Sequence, residues 1–227
     1  MDGILLVDKP AGISSFGVVA RVRGIIKAET GQKIKIGHTG TLDPAATGLM
    51  ILVLGKYTKR AAEFSKLDKI YEAELTLGKT STTGDREGEI TEKSDKKPDL
   101  DKIEAVLKDF IGDISQVPPI YSAIKVDGRR AYDMARKGQE VKLEPRQVKI
   151  YSITDIKYAY SKLSFSVSVS SGTYIRTLAE DIGKELDTGA YLSALRRTSV
   201  GKFKTNQAIS LEGISFTKIQ QGLSNSL

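Results

Sequence analysis

The sequence predicts an α+β fold with a central mixed or largely antiparallel sheet and flanking helices. Strand-like and helix-like periods follow one another irregularly and without an internal repeat, which argues against the regular βαβ alternation of a parallel sheet. Hairpin-type strands with one polar face stand beside scattered amphipathic helices. The 227 residues, 40% hydrophobic and 28% charged, are enough chain to bury a substantial core.

In chain order, GILLV reads as a short buried strand and KPAGISS as a turn whose Ser14 or Ser15 caps a helix. That helix has Phe16, Val19, Val22 and Ile26 as its apolar stripe. The segment Gly37–Gly48, GHTGTLDPAATG, has too much turn chemistry for a helix or a strand. It reads as a flexible small-residue loop. LMILVLG follows as a fully apolar strand stopped by Gly55, and TKRAAEFSKL as a short helix. In IYEAELTLG, Tyr71, Ala73, Leu75 and Leu77 share one face, and Glu72, Glu74 and Thr76 the other, which makes a half-buried strand. KTSTTGDREGEI is a polar loop. DKIEAVLKDFIG is a helix with Asp101 and Glu104 at capping-box spacing and Gly112 at its C-terminal end. A basic stretch beginning at Pro118-Pro119, about residues 117–148, lacks a sustained apolar period and reads as an excursion from the core. KLSFSVSVSSG is a strand with a serine face, and TYIRTLAEDIGKEL and GAYLSALRR read as helices.

Composition narrows the function. Without cysteine there is no disulfide, thiolate nucleophile or cysteine-bound metal, and a single histidine gives no His-rich metal set. The longest apolar run, Leu49–Leu54, is far below the ~20 residues of a membrane span. No basic region precedes the apolar residues of MDGILLVDKP, which argues against a signal peptide and makes the cytoplasm the default compartment. The net charge of +7 favours a polyanionic partner, RNA or DNA, through phosphate contacts and counterion release.

Five places could carry chemistry. Asp43-Pro44 is either a helix start, with Asp as cap and Pro at the first helical position, or an acid presented by a loop that allows close ligand approach. Tyr71 is either core or a ring that stacks on a base with its hydroxyl ready for proton transfer. Arg176 falls in the first turn of its helix, where the helix dipole disfavours a cation; it is either an exposed surface arginine or a group placed there for another role, such as pairing with a buried carboxylate. LRR at Leu195–Arg197 and the basic excursion are either solvated faces or RNA contacts. The segment matches neither a phosphate-binding glycine loop nor a G-x-S-x-G elbow, which leaves a Ser-His-Asp triad around His38 without support.

Seven segments in order, GILLVDKPAGISS, GHTGTLDPAATGLMILVLGKYTK, KIYEAELTLG, TTGDREGEI, QVPPIYSAIKVDGRRAYDMARKG, SGTYIRTLAEDIG and GAYLSALRRTSVGKF, resemble the bacterial tRNA pseudouridine synthase family of the TruB type. They span Gly3 to Phe203. The resemblance implies the pseudouridine synthase fold with a cleft across its sheet, and isomerisation of uridine-55 in the TΨC loop of tRNA. It implies that Asp43 is the essential acid, that Tyr71 stacks on the target uracil, and that Arg176 pairs with Asp43. It places Tyr174 and Leu195 in the pocket and His38 where the opened RNA loop is held. Lys9 and Pro10 match the N-terminal motif near the site, Thr41 lies in the Asp43 segment, and Arg129 and Arg130 belong to a thumb-like insertion that clamps the TΨC arm.

No metal or redox cofactor is implied. Ser171 and Val169 stand where relatives often carry a basic residue and a cysteine. Only a short tail follows Phe203, where relatives carry a further RNA-binding module, so the expectation is a single catalytic domain over 1–227 without it. Stand-alone action, with no guide RNA or protein partner, and a monomeric state complete the expectations.

Overall fold

The run GILLVDK is buried at nearly every position and forms the first strand, β1 (Gly3–Lys9). The computed structural model describes residues 1–122, 124–126, 128–131, 134, 139 and 141–224. After β1 come α1 (Ser15–Thr30), β2 (Ile36–His38), β3 (Thr47–Leu54), a 3-10 turn (Gly55–Arg60), α2 (Ala61–Ser65) and β4 (Lys69–Leu77). Then follow β5 (Lys79–Ser81), β6 (Ile90–Glu92), α3 (Leu100–Asp109), β7 (Gly112–Gln116), β8 (Lys125–Val126) and β9 (Arg129–Arg130). The remaining elements are β10 (Arg146–Ala159), β11 (Lys162–Val169), α4 (Ile175–Glu185), β12 (Ala190–Val200), β13 (Phe203–Lys204), β14 (Ile209–Ser210), α5 (Phe216–Gly222) and β15 (Leu223–Ser224). The α+β class is as expected.

The chain forms two compact units: Met1–Glu72 with Leu195–Leu227, and Ala73–Ala194. In the first, β3 is the central strand, buried along nearly its whole length as its unbroken apolar sequence requires. One edge pairs antiparallel with β1, from Gly3↔Leu54 to Lys9↔Gly48. The other edge is shared: β2 takes its end (His38↔Leu52), and β12 takes its start in parallel (Arg196↔Thr47, Arg197↔Gly48). Ile4, Leu49, Ile51, Val53, Phe64, Val200 and Phe203 form the core here. The segment 39–46 therefore leaves β2 and returns into β3 where β12 grips it.

In the second unit the strand order is β12-β4-β11-β10-β7, with β10 antiparallel to both neighbours. Tyr71, Ala73, Leu75 and Leu77 are all buried, as the alternation of β4 predicts, with Thr76 buried as well on the other face. Helix α4 buries Ile175, Leu178, Ala179 and Ile182 at helical spacing.

Several local expectations change. GAYLSALRR lies in strand β12, not a helix; ladder pairing to a neighbouring strand overrides the helix propensity of its Ala, Leu and Arg residues. Ser14 caps α1, accepting from Gly17 N at 3.0 Å, and Gly31 ends the helix in the left-handed region at φ 70°. Phe16 is 64% exposed and lies off the stripe, which runs Ser15, Val18, Val19, Val22, Ile26. The Arg23 guanidinium lies 6.0 Å from its ring centroid. The cap of α3 is Asp99, accepting from Lys102 N at 2.8 Å, rather than Asp101, and Gly112 opens β7 instead of closing the helix. The polar stretch after β4 pairs as the hairpin β5–β6. Of TKRAAEFSKL only Ala61–Ser65 is α-helical. Asp43-Pro44 starts no helix: Ala46 N donates to Asp43 O at 3.1 Å and closes a turn.

Within the excursion, β8 and β9 form a two-residue ladder. Tyr132 and the side chains of Arg129 and Arg130 lie outside the described residues.

Candidate active site

The loop carrying Asp43 is held through its backbone. Ser15, buried at the first turn of α1, accepts from Leu42 N at 2.8 Å and donates to Leu42 O at 2.9 Å. Lys9, fully buried at the end of β1, donates its ammonium hydrogens to Pro10 O at 3.0 Å, Pro44 O at 3.1 Å and Ala46 O at 2.5 Å. Gly12 N adds a second donor to Pro44 O at 2.9 Å. From β12, Arg197 donates Nη2 to Gly40 O at 3.0 Å, Nη1 to Thr41 O at 3.5 Å and Nε to Leu49 O at 2.8 Å. With the turn bond to Asp43 O, each carbonyl from Gly40 to Pro44, and that of Ala46, has a donor. The segment read as flexible is thus a fixed platform: small residues let the backbone run close to its donors, and those donors satisfy it.

Gly48, opposite Lys9, completes the geometry. Its φ is 105°, and a Cβ there would lie 2.3 Å from Arg197 O. Asp43 is half-buried at the crest, between buried Leu42 and exposed Pro44. Beside it, His38, Thr39, Gly40 and Thr41 line an open depression of about 370 Å³ with Ala61, Ala62 and Ser65 of α2. The depression brings His38 and Thr41, both expected to touch substrate, to one place. Leu195 is half-buried on β12, and its carbonyl accepts from Thr47 Oγ1 at 3.4 Å at the exit of the loop.

Tyr71 is 8% exposed on the buried face of β4. Two residues earlier on that face, Lys69 is buried and donates to Ser65 O at 2.6 Å and Leu67 O at 2.5 Å. Burial first, then the Arg197 charge, lowers the Lys69 ammonium to about 8, against the opposing pull of Asp68.

In the other unit, Arg176 occupies the second position of α4, as the sequence placed it, and is 6% exposed. Nη2 donates to Tyr121 O at 2.8 Å and Nη1 to Thr83 O at 3.2 Å, while Nε lies 3.7 Å from Asp85 Oδ2. Asp85 is itself buried and accepts from Thr83 Oγ1 at 2.7 Å and Glu87 N at 3.0 Å. Tyr174, the residue capping α4, is fixed by buried Gln116, which accepts from Tyr174 N at 3.1 Å and donates to its carbonyl at 3.3 Å. The structure therefore collects Lys9, Pro10, His38, Thr41, Asp43, Tyr71 and Leu195 in one unit, and Tyr174 and Arg176 in the other.

Sequence reasoning missed four participants. In the sequence Ser15 reads only as a cap, Lys69 carries no distinguishing signal, and Asp85 stands in a T-x-D turn signature inside its motif. Arg197 was read within LRR as a solvated face or RNA contact; it is 2% exposed, and its neighbour Arg196 pairs bidentately with Asp8 at 2.7 and 3.1 Å. Among the described residues no group of three or more His, Asp or Glu is placed to hold a metal ion. No helix of the described residues is long and apolar enough to cross a membrane.

The sequence profile of the TruB family pseudouridylate synthase N-terminal domain matches residues 25–175. That of the tRNA pseudouridylate synthase B C-terminal domain matches 176–222. The tRNA pseudouridine synthase B of Burkholderia mallei (strain NCTC 10247) is 44% identical over 94% of this chain and 69% of that protein. Its counterpart in Cupriavidus metallidurans is 47% identical over 93% of this chain and 67% of that one. Among solved structures, a chain of a Cbf5-Nop10-Gar1 complex superposes with a TM-score of 0.71 at 32% identity, over 92% of this chain and 52% of that chain. A chain of an H/ACA RNP bound to a substrate RNA containing 2'-deoxyuridine gives 0.69 at 28% identity, over 96% of this chain and 57% of its own. The chain thus spans about two thirds of these bacterial relatives and little more than half of the solved chains. Together with the pinned Asp43 loop, these matches settle the family: the chain belongs to the TruB pseudouridylate synthases.

Proposed function

We propose that this chain isomerises uridine to pseudouridine at position 55 of the TΨC loop of tRNA, with Asp43 as the essential carboxylate. The observation that carries the reading is the Asp43 loop itself: a half-buried acid on a backbone whose carbonyls are bonded on both flanks, preorganised in the way catalysis by positioning needs. The reaction breaks the N1–C1′ bond, turns the uracil and forms a C5–C1′ bond; the C5 hydrogen leaves and N1 gains a proton. That sequence needs no electron transfer. A carboxylate serves it as a nucleophile on sugar or base, or as the base at the second sugar carbon.

The uridine must leave its stack, at a cost of a few kcal/mol. Tyr71 offsets it by stacking on the everted ring, His38 holds the vacated place in the RNA loop, and Tyr174 and Leu195 line the pocket. Arg176 balances the charge of Asp43. Its guanidinium is buried, lies 3.7 Å from Asp85 and donates to Thr83 O and Tyr121 O, so its position is fixed by its own surroundings. Lys9, Pro10 and Thr41 belong to the platform, and Arg129 and Arg130 of the insertion at about 117–148 contact the stem.

The net charge of +7 supports an RNA partner. Higher identity to the bacterial synthases than to the Cbf5 chains supports action without guide RNA or protein partner. A monomer in the cytoplasm completes the proposal. Asp43→Asn decides the assignment. In a TΨC stem-loop labelled with tritium at uridine C5, the variant should bind RNA within about threefold of wild type and release tritium at least ~1000-fold more slowly. Turnover persisting in Asp43→Asn removes the carboxylate from the mechanism, and pseudouridine mapped only at a non-tRNA site removes the substrate.

A further inference from the structure

We infer that Arg197 is a positioning residue for the reaction: its buried guanidinium sets the path of the Asp43 loop and so the placement of the carboxylate. The inference rests on reading Asp43 as the catalytic acid, and it assigns a task to a side chain that the sequence offers as a surface cation.

A guanidinium taken out of water is costly unless its donors are met, and Arg197 is 2% exposed. It donates to three main-chain carbonyls: Leu49 O at 2.8 Å, Gly40 O at 3.0 Å and Thr41 O at 3.5 Å. These acceptors lie on both sides of the acid. Leu49 is in β3, beyond the loop, and Gly40 and Thr41 are in the strand of loop approaching Asp43. One planar fork thus ties the incoming half of the loop to the strand it feeds. A lysine ammonium, with its single nitrogen, cannot reach such separated carbonyls with the same fixed geometry.

The main chain of Arg197 takes part as well. It pairs with Gly48, where any side chain would collide with the Arg197 carbonyl, and a Cβ on Gly40 would lie 3.3 Å from Nη1. Both glycines are therefore spaces left for this arginine. Lys9 holds the outgoing half of the loop at Pro44 and Ala46, so the backbone on both flanks of Asp43 is tied to a buried cation. A displacement of about 1 Å in a reacting group can cost ~100-fold in rate, which is the scale on which such a tether matters.

The test uses Arg197→Lys and Arg197→Met in the full chain, read by single-turnover and steady-state tritium release from the TΨC stem-loop. Arg197→Lys should lower kcat by about 10- to 100-fold with KM and stem-loop affinity changed less than about threefold, and Arg197→Met should lower kcat further. In the free proteins, amide hydrogen exchange should accelerate at Thr39–Ala46 and stay unchanged across β10 and β11. A loss confined to KM would make Arg197 an RNA contact and overturn the proposal, as would wild-type kcat in either folded variant. Should Arg197→Met not fold, Arg197→Lys decides alone. If wild type itself releases no tritium, the proposed function fails, while the exchange comparison still judges Arg197: unchanged exchange at Thr39–Ala46 in Arg197→Lys overturns its tethering role.

Discussion

Lys69 shows what burial does to a single side chain here. Its ammonium sits on the buried face of β4 near a second buried cation, and its two carbonyl partners do not fully replace water. The group therefore titrates at about 8 in the folded protein, against 10.5 for an ordinary lysine. A ¹³C-detected titration of the Lys69 side chain should show a midpoint near 8. Between that value and 10.5 the unfolded chain holds a proton that the folded chain has released, so this group makes folding more favourable as pH rises through the window. Wild type should consequently gain stability relative to Lys69→Met from pH 8 to 10 in urea unfolding. A flat difference would show that Lys69 is solvated. Arg176 illustrates the opposite arrangement: equally buried, it meets Asp85 and two carbonyls, so its placement in a first helical turn costs little.

At the level of elements, the decisive junction is the start of β3. Here β1 contributes Lys9, β12 contributes Arg197, and the loop turns into the strand through Gly48. Its φ of 105° lies outside what a residue with a Cβ adopts comfortably, and the added atom would meet Arg197 O at 2.3 Å. Gly48→Ala should cost about 2–3 kcal/mol in chemical denaturation, from backbone strain and lost β3–β12 pairing. It should also depress kcat, because the same displacement moves the Asp43 turn. A variant with unchanged midpoint would mean that β12 does not grip β3 as described. Helix α1 adds a smaller lesson: its stripe begins at Ser15, not Phe16, because Leu42 satisfies the serine hydroxyl and makes that position buryable.

For the whole molecule, the informative quantity is charge. A net +7 on 227 residues gives the chain a long-range attraction to polyanions that is independent of sequence. Stem-loop affinity should therefore fall steeply with salt, by about 100-fold between 50 and 200 mM if roughly four phosphates are contacted. A salt-independent affinity would remove the basic surface from the recognition scheme.

The sequence by itself determined the class of fold, the alternation of β4, the amphipathic α4, and the motifs that carry Asp43, Tyr71 and Arg176. Each is local: side-chain burial repeats every two or 3.6 residues, and a motif is a short string. Only the tertiary structure made GAYLSALRR a strand, turned Phe16 outward, drew Asp85 to Arg176, and stiffened the Asp43 loop. Those outcomes rest on main-chain carbonyls being met by donors from far along the chain. Arg197 and Gly40 are the clearest pair, because nothing in the letters LRR or GTLDP reports a 3.0 Å contact between segments so distant in sequence. Pattern encodes which face is buried; the closing of the chain decides what that face touches.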